Sequence, residues 1–453
     1  MTRMWPGLLV VLPALALAAE EPAPPPAPPP APPLAAAPPP SVSAPAPAPV
    51  PAPPPLPASP APVVSHSTAP SIPPPELGVR PKEAPLKLSA EMGKGIVAKA
   101  GELFSLSIRS RIQAQFFLSR PSDGAIVRGT HDQLTDGFLI RRLRLVFAGH
   151  AFTPKLQYYI QLGFSNRDME RDLLIPLRDA YITWQPLRDF GLRFGQMKVP
   201  FGKQRVVSSS ALQMVDRSIV TGELNLDRDV GLYAQSEDFL GLGGRLQYQV
   251  GLFSGLGRNR SPSINSLLYF GRIQINPFGN FDHLSEGDHL RLPKPRLALG
   301  FTAAHNVNTN RTLSTFGDVY SFARFSYLHL GADLHFKWAG FSLISELLYR
   351  RADKDSVLDE KSGKREYSRS ALGYFVQAGY LLRFPIELVA RWGEIFPAAG
   401  TDPNLARQRE VGASLNFYLW EHSLKLQGDY FYLFGEDRDI GTHQVRVQAQ
   451  LFF

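Results

Sequence analysis

From Glu102 to the C-terminus, apolar residues return at every second position in sixteen runs separated by polar, Gly- and Pro-containing links. A period of two marks strands with unlike faces. The last run, His443 to Phe453, sets Val445, Val447, Ala449, Leu451 and Phe453 against Gln444, Arg446, Gln448, Gln450 and Phe452. The first sets Ile108, Ile112, Ala114 and Phe116 against Arg109, Arg111, Gln113 and Gln115. The second sets Leu143, Leu145 and Phe147 against Arg142, Arg144 and His150. Such strands suit hydrocarbon on one side and water on the other. An even set of sixteen predicts an all-β fold over residues 103–453, a sixteen-stranded antiparallel transmembrane β-barrel.

The links follow the same logic. Those after the even runs are short, for example Ala151 to Lys155, Trp338 to Gly340 and Phe384-Pro385, whereas those after the odd runs are longer and more polar, for example Ala352 to Arg369. Short periplasmic turns alternating with long external loops are the habit of outer-membrane barrels. Pro277 to Pro295 departs from it, being long where a short turn is due. The longest link, Val199 to Arg228, is Ser-rich, carries Lys203, Arg205, Arg217 and Arg228, and has helical character over Ser210 to Val220. A loop of this size in a compact protein is usually functional, and in a sixteen-stranded barrel it predicts an inward-folded constriction.

The N-terminal region reads differently. Arg3, the apolar run Leu8 to Ala19 and the small-residue pattern Ala16-Leu17-Ala18 predict a cleaved signal peptide over 1–19 and hence export. Between residues 21 and 80 lie 26 of the 42 prolines, too many for helix or sheet, so 20–81 is expected to be a polyproline II linker reaching on the order of 3 Å per residue. It could tether the barrel to the cell wall from the periplasm. Residues 82–102 form a short basic lead-in. No other stretch of about 18 apolar residues offers a helical span. A mean hydropathy of −0.11 fits a barrel whose polar lumen dilutes every window.

Charge sharpens the picture. The lumen phase holds Arg109, Arg111, Arg142, Arg144, Arg193, Arg272, Arg350, Arg391, Lys425 and Arg446, to which the loop adds Lys203 and Arg205. Guanidinium forks match phosphate oxygens, and rings of Arg and Lys select anions in pores. The competing reading pairs them with the lumen carboxylates Asp179, Asp333, Glu346, Glu387 and Asp429, leaving wall salt bridges only. Arg141 falls in the outward phase beside Arg142, so it either snorkels to the interface or is turned inward by a bulge. Trp184, Tyr349, Tyr380, Trp392, Tyr430 and Tyr432 suit outward girdles, while Tyr159, Tyr181 and Tyr233 are scattered through the lumen phase.

Four segments resemble the phosphate-selective porin O and P family: Phe138-Leu139-Ile140-Arg141-Arg142-Leu143-Arg144-Leu145, Leu177-Arg178-Asp179-Ala180-Tyr181-Ile182, Arg193-Phe194-Gly195-Gln196-Met197-Lys198-Val199-Pro200-Phe201-Gly202, and Asp227-Arg228-Asp229-Val230-Gly231. The resemblance covers roughly residues 93–453 and leaves the Pro/Ala extension outside it. It implies a homotrimeric channel in the bacterial outer membrane, embedded in lipid, in which basic residues steer small anions to a constriction. Under this reading Arg142 and Arg144 bind the descending anion, Lys198, Lys203 and Arg205 shape the constriction, and Arg109, Arg111 and Arg193 line the path.

Enzyme chemistry has little support. The ten histidines lack metal-ligand spacing, cysteine is absent, and neither a Gly-x-Ser-x-Gly elbow nor a His-Glu-x-x-His pair occurs. The expectation is therefore passive diffusion of small anions, phosphate or polyphosphate among them, with no catalytic residue, metal, cofactor or nucleic-acid partner. A general or sugar-permeable porin, and a structural barrel tethered by its Pro-rich segment, are the alternatives.

Overall fold

The computed structural model describes residues 85–453 apart from 124, 126–133, 171, 264 and 283. The expected signal peptide and Pro/Ala linker lie outside the described residues. Eighteen strands hydrogen-bond into one sheet, and sixteen of these form the closed barrel. Strands β1 (Leu86–Glu91) and β2 (Gly95–Ala100) form a hairpin in the basic lead-in. The wall then runs through β3 (Phe104–Pro121), β4 (Thr135–Ala151), β5 (Thr153–Gly163), β6 (Leu177–Trp184), β7 (Gly191–Lys198) and β8 (Arg228–Ser236). It continues through β9 (Leu246–Phe253), β10 (Leu267–Ile275), β11 (Arg296–Thr309), β12 (Phe325–Trp338) and β13 (Phe341–Ala352). A small hairpin, β14 (Ser356–Leu358) and β15 (Arg365–Tyr367), decorates the next loop. The last wall strands are β16 (Ala371–Leu381), β17 (Ile386–Pro397), β18 (Gln408–Trp420), β19 (Leu424–Phe434) and β20 (Gly441–Phe452).

Closure comes from β20 pairing antiparallel with β3, from Thr442 opposite Pro121 to Phe452 opposite Arg111. The final residue joins the seam: Ser110 N donates to Phe453 O at 2.7 Å, and Phe453 N donates to Ser110 O at 3.0 Å. Below that point β2 takes over the same edge of β3, Ile96 opposite Ile108 to Ala100 opposite Phe104. The hairpin therefore extends the wall at its seam, and its inward phase presents Lys87 and Lys99.

Burial runs opposite to that of a soluble protein. Gln113, Arg350, Glu387 and Lys425 face inward and are fully buried, whereas Leu330, Leu388, Leu415 and Val447 face outward and are about half exposed. Hydrocarbon outside and polar groups inside is the two-sided environment the alternation predicts. Trp184, Tyr380 and Tyr430 lie exposed on the outer face, as expected of girdle residues. Among the described residues no helix is long and apolar enough to cross a membrane.

The sixteen expected runs correspond one to one with the sixteen wall strands; most ends agree within about four residues, while β4 begins seven residues before the expected Arg142. The two-residue turn Ala339-Gly340 has φ of 51° and 98°, the left-handed pair that such a hairpin uses. A Cβ on Gly340 would lie 2.4 Å from Arg291 Nη1, so glycine is required there for space as well as for φ. The exceptional link after β10 is real. Its strand boundaries hold, and the extra residues fold into the lumen, burying Phe281, Glu286 and Asp288. The Val199–Asp227 loop also folds inward, with two short helices, α1 (Lys203–Val206) and α2 (Ile219–Leu224). The helix expected over Ser210 to Val220 does not form. Wall and connection groups supply the acceptors a helix would have supplied: Gln213 N donates to Glu286 Oε2 at 2.8 Å and Val215 N to Asp429 Oδ2 at 3.0 Å.

Candidate functional site: a cationic constriction

Two irregularities in the ladder build the site. Opposite β4 the register slips between Gln113 and Ala114 of β3, so Arg141 and Arg142 both turn inward. Between β5 and β6 it slips again at Gln161 and Leu162, and Arg178 and Asp179 share the inner side. Regular pleating would have sent one member of each pair into lipid. Arg144 follows in normal phase. The loop contributes Arg205 and Arg217, its two ends add Lys198 and Arg228, and the external links bring Arg167 and Arg258.

These ten cations line a cavity of about 140 Å³, with Ser209 and Asp227 completing its wall. Five carboxylates hold the cluster together, one of them Glu170, which meets Arg258 Nε at 3.3 Å. Asp216, from the loop, accepts from Arg141 Nη2 at 2.8 Å and Arg142 Nη2 at 2.9 Å. Asp168 pairs with Arg144 at 2.5 Å and Arg178 at 3.3 Å. Asp179 takes both Nε and Nη2 of Arg228, at 3.0 and 2.9 Å, and Asp227 contacts Arg205 and Arg228. Lys198 Nζ donates to the carbonyls of Arg205 (2.8 Å) and Val206 (3.1 Å), and Arg217 to those of Gln204 (2.9 Å) and Val207 (2.8 Å). Carbonyl bonds satisfy donors without cancelling charge, so ten positive groups face five negative ones. Burial opposes the charge on Asp216, and the guanidinium groups of Arg141 and Arg142 outweigh it, holding its carboxyl well below the usual carboxylate range.

The cationic lining continues downward. A second cavity of about 270 Å³ shares Arg144, Lys198, Ser209 and Arg228 with the first and reaches Arg193. There Tyr159, Tyr181 and Tyr233, distant in sequence, come together: Arg193 lies 4.7 Å from the Tyr181 ring and 5.5 Å from that of Tyr233, and Tyr159 stacks on Tyr181 at 5.1 Å. A third cavity, about 780 Å³, shares Tyr159, Tyr181 and Arg193 and opens between Arg109 and the β1–β2 hairpin with Lys87 and Lys99.

Of the residues singled out from sequence, Arg142, Arg144, Lys198 and Arg205 meet in the constriction, while Arg193 and Arg109 line the cavities below it. Arg111 is buried outside these cavities and donates to Ser209 Oγ at 3.1 Å, tethering the loop to the wall. Lys203 is buried in the first turn of the loop, its ammonium 5.3 Å from the Phe281 ring, and with Arg272 lines a further cavity that shares Arg193, Val206 and Gln249 with the second. Arg272 and Arg446 pair with Asp333 and Asp429, as the wall-salt-bridge reading expects, whereas Arg391 pairs with Glu410 of the wall and Arg350 with Glu223 of the inward loop. Arg178, Arg167 and Arg258 were absent from the sequence-derived set. A charged doublet inside a wall strand, Arg178-Asp179 like Arg141-Arg142, was the available signal, because only a bulge lets both members face the lumen.

Residues 123–390 match the phosphate-selective porin O and P family. The chain belongs to that family. This porin is accordingly a channel-type β-barrel of the bacterial outer membrane. It is 21% identical over 329 residues to an uncharacterised protein of Aquifex aeolicus, covering 67% of this chain and 69% of that one. In fold the porin is similar to the outer-membrane channel DcaP of Acinetobacter baumannii, with TM-score 0.51, 12% identity, and coverage of 78% of this chain and 98% of that one. The anion-selective porin from Comamonas acidovorans aligns with TM-score 0.49 and 11% identity over 77% of this chain and 100% of that one.

Proposed function

We propose that this porin conducts small anions passively, phosphate among them, through the route that begins at the Arg141–Arg144 constriction and descends past Arg193. The observation that carries this reading is the imbalance at the constriction, ten cationic side chains against five carboxylates. In a low-dielectric wall such a surplus attracts anions and repels cations. Arg142 and Arg144 place two guanidinium charges at adjacent inward positions; their forks are engaged by Gln113 and Asp216 and by Asp168 and Ser209, so they act on an anion through their charge. Transport needs no cofactor, since diffusion with transient binding is enough. The family relationship supports a homotrimeric assembly, with residues 1–19 as export signal and 20–81 as periplasmic spacer. Reversal potentials of purified channels in a salt gradient test the proposal: chloride and phosphate should permeate better than potassium, and a preference for potassium would overturn it.

A further inference from the structure

The long connection between β10 and β11 enters the lumen from the short-turn end and meets the tip of the constriction loop. Glu286 makes the junction. Its Oε2 accepts from Gln213 N at 2.8 Å and from Gln377 Nε2 at 3.0 Å, and its own N–H donates to Ala211 O at 3.1 Å. The connection is itself braced on the β12–β13 hairpin, where Lys337 Nζ donates to Ser285 O at 2.8 Å and Asp282 Oδ2 at 3.0 Å, and Gly340 N to Asp288 Oδ2 at 2.7 Å. From the other side the loop tip is held by Glu387, which takes Gln213 Nε2 at 2.6 Å, and by Lys425, which donates to Leu212 O at 2.9 Å.

The two inward segments fill the side of the lumen bounded by β12 to β19. That side differs in charge from the conducting side. Asp333, Glu346, Glu387, Glu410 and Asp429 of its wall, with Glu286 and Asp288 of the connection, are buried there against Lys337, Arg350, Arg391 and Lys425. An aqueous path through it would be lined mainly by carboxylates and would pass cations.

We propose that Glu286 is a positioning residue that sets the selectivity of this channel: by pinning the loop tip to the connection it keeps the carboxylate-rich half of the lumen sealed and confines solute to the cationic half. Glu286 touches no part of the anion route, so its effect is indirect. The inference rests on the proposed anion selectivity for its sign, and on geometry alone for the seal.

The test uses single-channel recording of the full-length protein. Glu286→Ala removes the acceptor for Gln213 N–H, and a second variant replaces residues 279–292 by a two-residue turn. Both should raise conductance, roughly twofold if the open cross-section doubles, and move the reversal potential toward that of a nonselective pore. Glu286→Gln keeps an acceptor oxygen and should behave as the parent does, an outcome that mere loss of a charge would not give. Parent-like conductance in both Glu286→Ala and the shortened variant would overturn the seal. If the parent itself prefers potassium, the anion reading fails, and the conductance change still decides the role of Glu286.

Discussion

At the residue scale, the site depends on which arginines are compensated. Arg228 is almost fully buried, forks onto Asp179 and also meets Asp227. Breaking a buried pair leaves an uncompensated charge. Arg228→Met should therefore destabilise the folded barrel by about 3 kcal/mol, read from urea unfolding in detergent. Arg142 and Arg144 have a different role. Their double replacement by Gln removes two positive charges from the constriction and should weaken block by phosphate roughly tenfold, about 1.4 kcal/mol, while the folded, heat-modifiable band persists on gels. Unchanged phosphate block in that variant would remove both residues from the anion route. Much of this was readable from the sequence: phase alone placed Arg142, Arg144 and Arg193 in the lumen. Phase could not place Arg178, since a ladder slip depends on how two strands meet. Nor could it show that Arg111 would be spent tethering a loop.

At the element scale, the β1–β2 hairpin and the inward loop pose separate questions. Sixteen strands close without the hairpin, because β20 bonds β3 directly from Arg111 to Pro121. Removing residues 86–100 should leave the barrel folded, with heat-modifiable mobility intact, and should weaken anion binding at the mouth that Lys87 and Lys99 line. Failure to form a folded barrel would show that the hairpin is part of the closure. The alternation in Leu86, Leu88, Ile96 and Ala98 against Lys87, Ser89 and Lys99 is the same code as in the wall, too brief to separate from a linker by sequence alone. The loop illustrates the opposite case. Helical character in Ser210 to Val220 was overridden because acceptors from Glu286, Asp429 and other wall groups reach its amides. No local signal reports such distant partners. The length of the link after β10 was conspicuous in the sequence, and its meaning emerged only when both ends proved to be correctly placed strands.

At the scale of the whole molecule, the fold was legible because lipid and water impose one rule on every strand. Sixteen repetitions of a weak pattern identify a barrel more firmly than any single segment. Pairing of charges was not legible, since it is decided across strands and loops far apart in the chain. The same long-range electrostatics yields a measurable consequence. If the cationic surplus attracts anions through the lumen field, phosphate block should weaken as background salt rises from about 0.01 M, where screening extends about 30 Å, to about 1 M, where it shrinks to about 3 Å. Selectivity that is flat across that range would point to steric sieving instead.

The seam between Ser110 and Phe453 has a consequence for biogenesis. The two edges that complete the cylinder are the first wall strand and the sixteenth, so the cylinder cannot close before β20 has been made. Every unpaired edge must stay open through synthesis and export, and the cost of bringing such distant ends together falls on a single late step. A truncation of only a few C-terminal residues would therefore harm insertion far more than its length suggests, by leaving a finished sheet with no way to zip shut.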